Sequence, residues 1–145
     1  MTTDDHRSVA EERAIERALI QLARAMDDRD WATLEAIIAD DAIGDFGSGR
    51  VEGRAAIIDL IRGYLDCCGP TQHLLGNVLV DVTGEAAVSV AYVHDLHLST
   101  REPQTTFHTL GDYHDRWERR DGEWRLVERI KRNRATVGSL EVFDE

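Results

Sequence analysis

Residues 111–126 read Gly111-Asp112-Tyr113-His114-Asp115-Arg116-Trp117-Glu118-Arg119-Arg120-Asp121-Gly122-Glu123-Trp124-Arg125-Leu126, and they decide the fold. Asp121-Gly122 predicts a two-residue hairpin turn, because the primed turn types need positive φ and this dipeptide adopts it at low cost. Before the turn, one strand face is predicted to carry Gly111, Tyr113, Asp115 and Trp117. After it, simple alternation puts Trp124, Leu126, Glu128 and Ile130 on one face and Arg125, Val127 and Arg129 on the other. Such a long antiparallel hairpin, with mixed polar and apolar faces, is what a half-open sheet needs to curl around a pocket.

Amphipathic helix patterns occupy the first half of the chain. Between Ser8 and Met26 the apolar residues recur at helical spacing, which marks one buried face: Ile15, Leu19, Leu22 and Met26. The segment from Ser8 to Glu11 fits a capping box, so the helix is predicted to start there. A second, short helix is predicted with Asp30 as its N-cap and an apolar side of Trp31, Leu34, Ile37 and Ile38. A third runs from about 54 to 65 and ends before Gly69-Pro70.

Strand patterns fill the rest of the chain. A short pair is predicted around 42–46 and 50–52, and four longer strands at about 72–82, 86–99, 105–119 and 123–133. Helices followed by a run of strands predict an α+β fold, in which the three helices pack on one face of a curved antiparallel sheet. The polar ends, 1–7 and 139–145, are predicted to be loose.

Composition narrows the class of protein. A chain of 145 residues predicts a single domain over 1–145, with its core at about 8–133. A net charge of −11 argues against nucleic acid or an anionic membrane as the main partner. No apolar run has membrane length and no signal-peptide pattern is present, so a cytoplasmic protein is expected. Cys67 and Cys68 are interpreted as structural thiols rather than a disulfide.

The order of the elements and several short motifs resemble the SnoaL-like family of the nuclear transport factor 2-like superfamily. The resemblance covers about residues 8–133 and is carried by Asp27-Asp28 with Trp31 and Leu34, Asp40-Asp41-Ala42, Gly53, Gln72-His73, Gly76-Asn77, the stretch 111–115 and the stretch 120–125. It implies a cone-shaped sheet that encloses a pocket. The same fold hosts many reactions and also non-enzymes, so the resemblance by itself selects no reaction.

Asp27 and His73 are the candidate catalytic pair. Asp27 follows Met26 at the end of helix 1, where the helix dipole and an apolar surrounding would both raise its basicity. The alternatives are that Asp27 caps the turn between two helices and that His73 is an ordinary structural residue. In hexachlorocyclohexane dehydrochlorinase and scytalone dehydratase, members of this superfamily, an Asp at this place orients a His that removes a proton. The resemblance therefore implies a hydrogen bond between Asp27 and His73 within a pocket.

Two further consequences follow for Asp27. An ionised carboxylate at a helix C-terminus is unfavourable, so Asp27→Asn is predicted to change stability little or even to raise it. Residues that act as one unit are not additive, so the double variant with His73→Ala is predicted to be little worse than the worse single variant.

Arg129, Tyr113, Met26 and Phe107 are the candidate substrate-binding residues. The resemblance implies for Arg129 the role of an arginine of the dehydrochlorinase, which could attract a leaving anion; the alternative is an arginine on a solvated sheet edge. Arg129 also belongs to a basic cluster with Lys131, Arg132 and Arg134. This cluster is interpreted as a solvated strand end, or else as a site for an acidic ligand tail such as coenzyme A phosphates.

Some residues depart from the pattern of the related enzymes. The helix-1 lysine of the dehydrochlorinase falls near Leu22 here, and no tyrosine lies on helix 1, so the acid of a dehydration is unassigned. His94 and His97 are predicted to face opposite sides of one strand, which makes a shared metal site unfavourable, and no metal set is assigned. The inner face of the strand that contains His108 and His114 stays open.

These observations favour a lyase or isomerase that abstracts a proton, through Asp27 and His73, from a small, apolar and cyclic substrate without a cofactor. Two alternatives stay open: a non-catalytic ligand-binding or assembly module, and a relative of the polyketide cyclases that uses an acid–base Asp alone. A homodimer or homotrimer is also predicted, because the strand 86–99 carries apolar residues on both faces.

Overall fold

The computed structural model describes residues 2–144 and contains three α-helices and one six-stranded sheet. The helices are α1 (Thr3–Asp28), α2 (Trp31–Ile37) and α3 (Arg54–Leu65). The strands are β1 (Ile38–Asp45), β2 (Arg50–Glu52), β3 (Thr71–Thr83), β4 (Ala86–Leu98), β5 (Thr106–Arg120) and β6 (Glu123–Gly138). A short 3₁₀-helix, Leu140–Phe143, follows β6.

The six strands form one curved, unclosed sheet in the order β2-β1-β6-β5-β4-β3. All neighbours are antiparallel except β1 and β6, which run parallel. The helices lie on the concave side, where α1 packs against β3. The predicted α+β cone is therefore confirmed.

The predicted apolar stripe on α1 and the predicted hairpin turn are confirmed. Each member of the apolar stripe on α1 is at most 5% exposed: Ile15, Leu19, Leu22 and Met26. The stripe packs in the same core as Trp117, which is 1% exposed. At the hairpin, Asp121 has φ of 52° and Gly122 has φ of 78°. Positive φ at both central residues is what the primed turn requires.

The start of α1 differs from the prediction. The helix begins at Thr3, because Thr2 and Asp5 form the capping box: Asp5 N–H donates to the Thr2 hydroxyl and Thr2 N–H donates to the Asp5 carboxylate. Ser8 is therefore an interior helix residue, and its hydroxyl donates to Glu12 at 3.3 Å. Two cap signals are present in succession, at 2–5 and 8–11, and the earlier one starts the helix.

The predicted alternation of faces along β6 is wrong after Leu126. Arg116 pairs with Glu128 but Trp117 pairs with Leu126, so Val127 is an extra residue in a β-bulge. Because side chains alternate with a period of two, one extra residue reverses the faces that follow. Arg129 thus lies on the same inner side as Trp117 and Leu126, and Glu128 and Ile130 lie on the outer side.

The C-terminal segment is also more ordered than predicted. Strand β6 extends five residues beyond the predicted end at 133, and the backbone N–H of Ser139 then donates to the carbonyl of Thr106. In the 3₁₀-helix that follows, Val142 is 1% exposed, and the Phe143 ring meets Tyr64, His97 and Phe107 edge-on. Residues 2–7 form the cap and first turn of α1, whereas residues 1 and 145 lie outside the described part. Within residues 2–144, no helix combines the length and the apolar character needed to cross a bilayer.

Candidate active site

Asp27 and His73 meet at the concave side of the sheet, where the end of α1 crosses the start of β3. The His73 ring nitrogen Nδ1 lies 2.7 Å from Asp27 Oδ1, so the predicted hydrogen bond is present. The backbone N–H of His73 donates to Asp27 Oδ2 at 3.0 Å, and the Thr71 hydroxyl donates to Asp27 Oδ1 at 3.0 Å. Three donors therefore hold one carboxylate, and two of them come from the same residue.

Arg29 connects the end of α1 to the start of β3. It ends α1 in the left-handed region with φ of 56°, and its Nη1 donates to the carbonyl of Met26 at 2.8 Å. Nη1 also donates to the Thr71 hydroxyl at 2.8 Å, and Nη2 donates to the carbonyl of Gly69 at 3.0 Å. Because the Thr71 oxygen accepts from Arg29, the Thr71 proton is left to donate to Asp27. A cation at this place also offsets the negative end of the α1 dipole.

The electrostatics of Asp27 are opposite to the prediction from sequence. Burial alone would raise the pKa of Asp27, but the hydrogen bonds and charge of His73, with the Thr71 hydroxyl, outweigh burial and lower it. Asp27 is therefore ionised at neutral pH and accepts hydrogen bonds only. Since a carboxylate cannot donate, Nδ1 of His73 carries the proton, and Nε2 of the neutral ring has the free electron pair. This is the tautomer that a general base needs.

A cavity of about 320 Å³ lies beside His73. Three residues proposed from the sequence as substrate contacts line it together with His73, namely Met26, Phe107 and Tyr113. The rest of the wall is contributed by Phe46, Gly47, Ser48, Leu60, Ile61, Tyr64, Leu65, Asp95, His97, Thr109, Lys131, Asn133, Leu140 and Phe143. Burial raises the pKa of Tyr113, so its phenol stays protonated at neutral pH.

Arg129 lies apart from this cavity. Its Nε and Nη2 donate to the two carboxylate oxygens of Asp115 at 2.9 and 2.8 Å, and its guanidinium stacks 3.8 Å above the Tyr113 ring centre. It borders a separate, much smaller space of about 10 Å³ among Leu22, Met26 and other core residues. Contact between Arg129 and a ligand remains a prediction; in the structure the guanidinium is paired with Asp115 and packs against the face of the Tyr113 ring.

A polar cluster that was not predicted from the sequence lies in the same wall as His73. Lys131 donates from Nζ to Asp95 Oδ2 at 2.5 Å and to the Thr109 hydroxyl at 2.7 Å. Asp95 Oδ1 accepts from the backbone N–H and from the hydroxyl of Thr109, at 3.1 and 2.6 Å. The side chain of Asp95 is 1% exposed and that of Lys131 is 12% exposed. The interpretation of Lys131 as part of a solvated strand end is therefore wrong, although Arg132 and Arg134 are exposed.

His97 completes the inner wall. Its Nδ1 lies 3.2 Å from the carbonyl of Phe107, which can only accept, so Nδ1 carries the proton here too. Burial is the main reason why the pKa of His97 is lowered, although Asp95 acts in the opposite direction. Its ring meets that of His73 edge-on, with 5.8 Å between centres. His94 lies on the outer face, so His94 and His97 face opposite sides of β4, as predicted; Nε2 of His94 is 3.2 Å from Nδ1 of His108.

The comparisons with known proteins agree with this architecture. A family model for the SnoaL-like domain matches residues 7–130. A search of curated protein sequences finds no significant match.

Three solved structures illustrate the similarity. One is described as a "putative scytalone dehydratase" from Novosphingobium aromaticivorans; it is 25% identical, with a TM-score of 0.83 over 94% of this chain and 91% of that one. Hexachlorocyclohexane dehydrochlorinase LinA-type3 from Novosphingobium barchaimii is 22% identical, with a TM-score of 0.82 over 94% of each chain. A protein of unknown function from Mycobacterium tuberculosis, solved as a single-residue variant, is 21% identical, with a TM-score of 0.79 over 92% of this chain and 76% of that one.

The similarity to the second and third of these structures shows the fold alone. The family model covers most of the chain, and the helices, the sheet and the cavity agree with it. The chain therefore belongs to the SnoaL-like family.

Proposed function

We propose that this protein is a lyase or isomerase that removes a proton from carbon, with His73 as the base and Asp27 as its orienting partner. The observation that carries the proposal is the 2.7 Å hydrogen bond between Nδ1 of His73 and Asp27, formed at the wall of a cavity large enough for a small ligand. The dehydratase and dehydrochlorinase among the structural neighbours support an elimination in particular.

The proposed step follows from the tautomer of His73. The free electron pair on Nε2 takes a proton from a substrate carbon, and the ring becomes a cation. Asp27 stabilises that cation because it is already ionised and hydrogen-bonded to Nδ1. The side chain of His73 is 5% exposed and that of Asp27 19%, so bulk water screens the pair little. Acid–base chemistry of this kind needs no redox cofactor.

The cavity suggests the type of substrate. A volume of about 320 Å³ is at the small end of the range for ligand pockets, which suits a molecule with one or two rings. Much of the wall is apolar or aromatic, including Met26, Ile61 and Phe107, and Phe143 covers one side. A small, largely apolar and cyclic substrate therefore fits better than a charged or extended one.

Deuterium incorporation tests this function without knowledge of the natural substrate. Cyclic ketones with acidic C–H bonds are incubated with the protein in D₂O, and the loss of proton signal is followed by NMR. Release of chloride from hexachlorocyclohexane is measured in parallel. We expect exchange or release with at least one probe and a loss of about 10²-fold or more in His73→Ala.

His94→Ala is the matched control, because His94 is a histidine of the same sheet on the outer face. It should leave the rate unchanged. If His73→Ala retained full activity, proton abstraction by this residue would be excluded. If a probe bound tightly and no exchange occurred with any compound, a non-catalytic binding module would be the better description.

A further inference from the structure

We infer that Lys131 is a catalytic residue which binds a substrate oxygen as negative charge develops on it, and hence that the substrate is a carbonyl compound. This inference rests on the proposed function, since it names the group that receives the electrons when His73 takes the proton. The geometry of Lys131, Asp95 and Thr109 carries it.

The lysine of this ion pair is more accessible from the cavity than the aspartate. Both residues line the cavity, but the side chain of Lys131 is 12% exposed and that of Asp95 is 1% exposed. The Asp95 carboxylate is held by Lys131 and by two bonds from Thr109. A ligand in the cavity therefore has access to more of the Lys131 side chain than of the Asp95 carboxylate.

One N–H bond of the Lys131 ammonium group is available to a ligand. Of its three N–H bonds, one is directed to Asp95 and one to Thr109. Within residues 2–144, Lys131 Nζ donates to these two partners and to no third one. Because the group is mostly removed from water, an oxygen of a bound ligand is the partner that would satisfy it best. Lys131 is also the only cationic side chain among the described residues that line this cavity.

A purely structural role does not account for the burial of Asp95 and Lys131. Burying an ion pair often contributes no more stability than apolar residues of the same size. The strands β4, β5 and β6 already pair along their full length at this place, where Asp95 faces Thr109 and Tyr113 faces Lys131. The sheet thus needs no lysine here, whereas a site that must stabilise an anion in an apolar cavity does.

The chemical step balances with these residues. His73 Nε2 takes the proton from the carbon next to a carbonyl group. The electrons of the C–H bond form a C–C double bond, and the carbonyl electrons move to oxygen, which Lys131 binds as an enolate. In an elimination, the enolate re-forms the carbonyl and expels a β-hydroxyl group. That group leaves as water after it takes the proton back from His73.

This assignment distinguishes between substrate classes. A carbonyl compound with an acidic α C–H bond uses both His73 and Lys131. A chlorinated hydrocarbon has no oxygen on which charge can develop, so it would use His73 alone. We therefore expect Lys131→Met to slow the exchange of cyclic ketones by a larger factor than any chloride release from hexachlorocyclohexane.

A nitrophenol titration tests the inference independently of turnover. The neutral and ionised forms of 4-nitrophenol absorb at different wavelengths, and the phenolate mimics an enolate oxygen. We expect the pKa of the bound nitrophenol to fall by about one unit or more, the effect of an opposite charge within a few ångströms. His73→Ala should preserve the shift, so failure of the proposed reaction and failure of this inference are distinguishable.

The variants make the origin of the shift clear. Lys131→Met should abolish it, and Arg132→Met should keep it, because Arg132 is the adjacent exposed cation. If Lys131→Met is poorly folded because Asp95 is left unpaired, the double variant Asp95→Asn with Lys131→Met removes both charges and serves in its place. Preferential binding of neutral nitrophenol by the unaltered protein, or an unchanged shift in a folded variant without Lys131, would overturn the inference.

Discussion

Asp27→Asn is the perturbation that the structure makes most informative. The substitution keeps the shape of the side chain but replaces one acceptor oxygen by an NH₂ group, which can only donate. In the unaltered protein both oxygens accept: Oδ1 from Thr71 and from His73 Nδ1, and Oδ2 from the His73 backbone. The amide oxygen of Asn still accepts but its NH₂ cannot, so whichever way the amide is turned, at least one N–H or O–H group loses its acceptor. The predicted neutrality of this substitution, which was based on the helix dipole, is therefore reversed.

The expected loss of stability follows from the number of these hydrogen bonds. A hydrogen bond to a charged group contributes about 1.5–3 kcal/mol, and one or two are lost, so the free energy of unfolding should fall by roughly 1.5–6 kcal/mol. For a chain of this size, about 3 °C of melting temperature corresponds to each kcal/mol, which predicts a loss of roughly 5–18 °C. Turnover should fall by about 10²–10⁴, because His73 loses the group that fixes its tautomer and offsets its positive charge.

The pH dependence gives a second, independent check. The pKa of Asp27 is lower in the folded than in the unfolded protein, so its stabilising contribution is present above the unfolded pKa of about 4. That contribution is lost as the pH falls through the folded pKa. The difference in melting temperature between the unaltered protein and Asp27→Asn should therefore be present at pH 7 and shrink below about pH 4.

Circular-dichroism melts across this pH range measure the effect, and Asp28→Asn is the matched control. Asp28 is the next carboxylate on the same helix end but is exposed, so its substitution should change the melting temperature by at most about 1 °C. An Asp27→Asn variant as stable as the unaltered protein at pH 7 would refute the reasoning. It would mean that the three bonds to Asp27 contribute nothing beyond what solvent offers in the unfolded chain.

Three other outcomes are expected. The double variant His73→Ala with Asp27→Asn should be little slower than the worse single variant in the deuterium-exchange assay; additive losses would mean that the two residues act separately. Thr71→Val should lower the melting temperature by a few degrees and the exchange rate by about tenfold, since it removes one donor to Asp27 and leaves Arg29 without that acceptor; Thr33→Val, on the N-terminal turn of α2, is the control for the rate, which it should not change. We also propose a homodimer or homotrimer that covers the outer sheet face, because Val88, Tyr92 and Leu110 are 42–50% exposed there; a monomer by light scattering at micromolar concentration would contradict this.

The sequence predicted elements whose signals are local. The Asp121-Gly122 turn, the N-cap at Asp30 and the apolar stripe of α1 each depend on a few neighbouring residues, and all three are present. The dyad was predicted from the family resemblance, since nothing local relates Asp27 to a residue 46 positions away. The raised basicity assigned to Asp27 was wrong for the same reason: Thr71 and His73 act on it through tertiary contacts.

The inner positions of Arg129 and Lys131 were missed because they depend on one extra residue in β6. The alternation of side chains predicts the faces of a strand only while the strand pairing is regular, and nothing in the sequence around Val127 indicates a bulge. Without the bulge, Lys131 would face solvent, as its sequence surroundings suggest. The Asp95–Thr109 pair also needs the register of β4 against β5, which the sequence does not specify at this precision.

The bulge at Val127 also connects the fold to the proposed chemistry. By reversing the faces of β6, it brings two cations, Arg129 and Lys131, to the inner side of the sheet. Arg129 meets Asp115 in a closed bidentate pair, so its charge is compensated within the core. Lys131 meets Asp95 through one N–H only, at the edge of the cavity, and keeps a donor free. A single inserted residue thus decides whether this wall presents an ammonium group beside the base, and with it whether a developing oxyanion can be stabilised there.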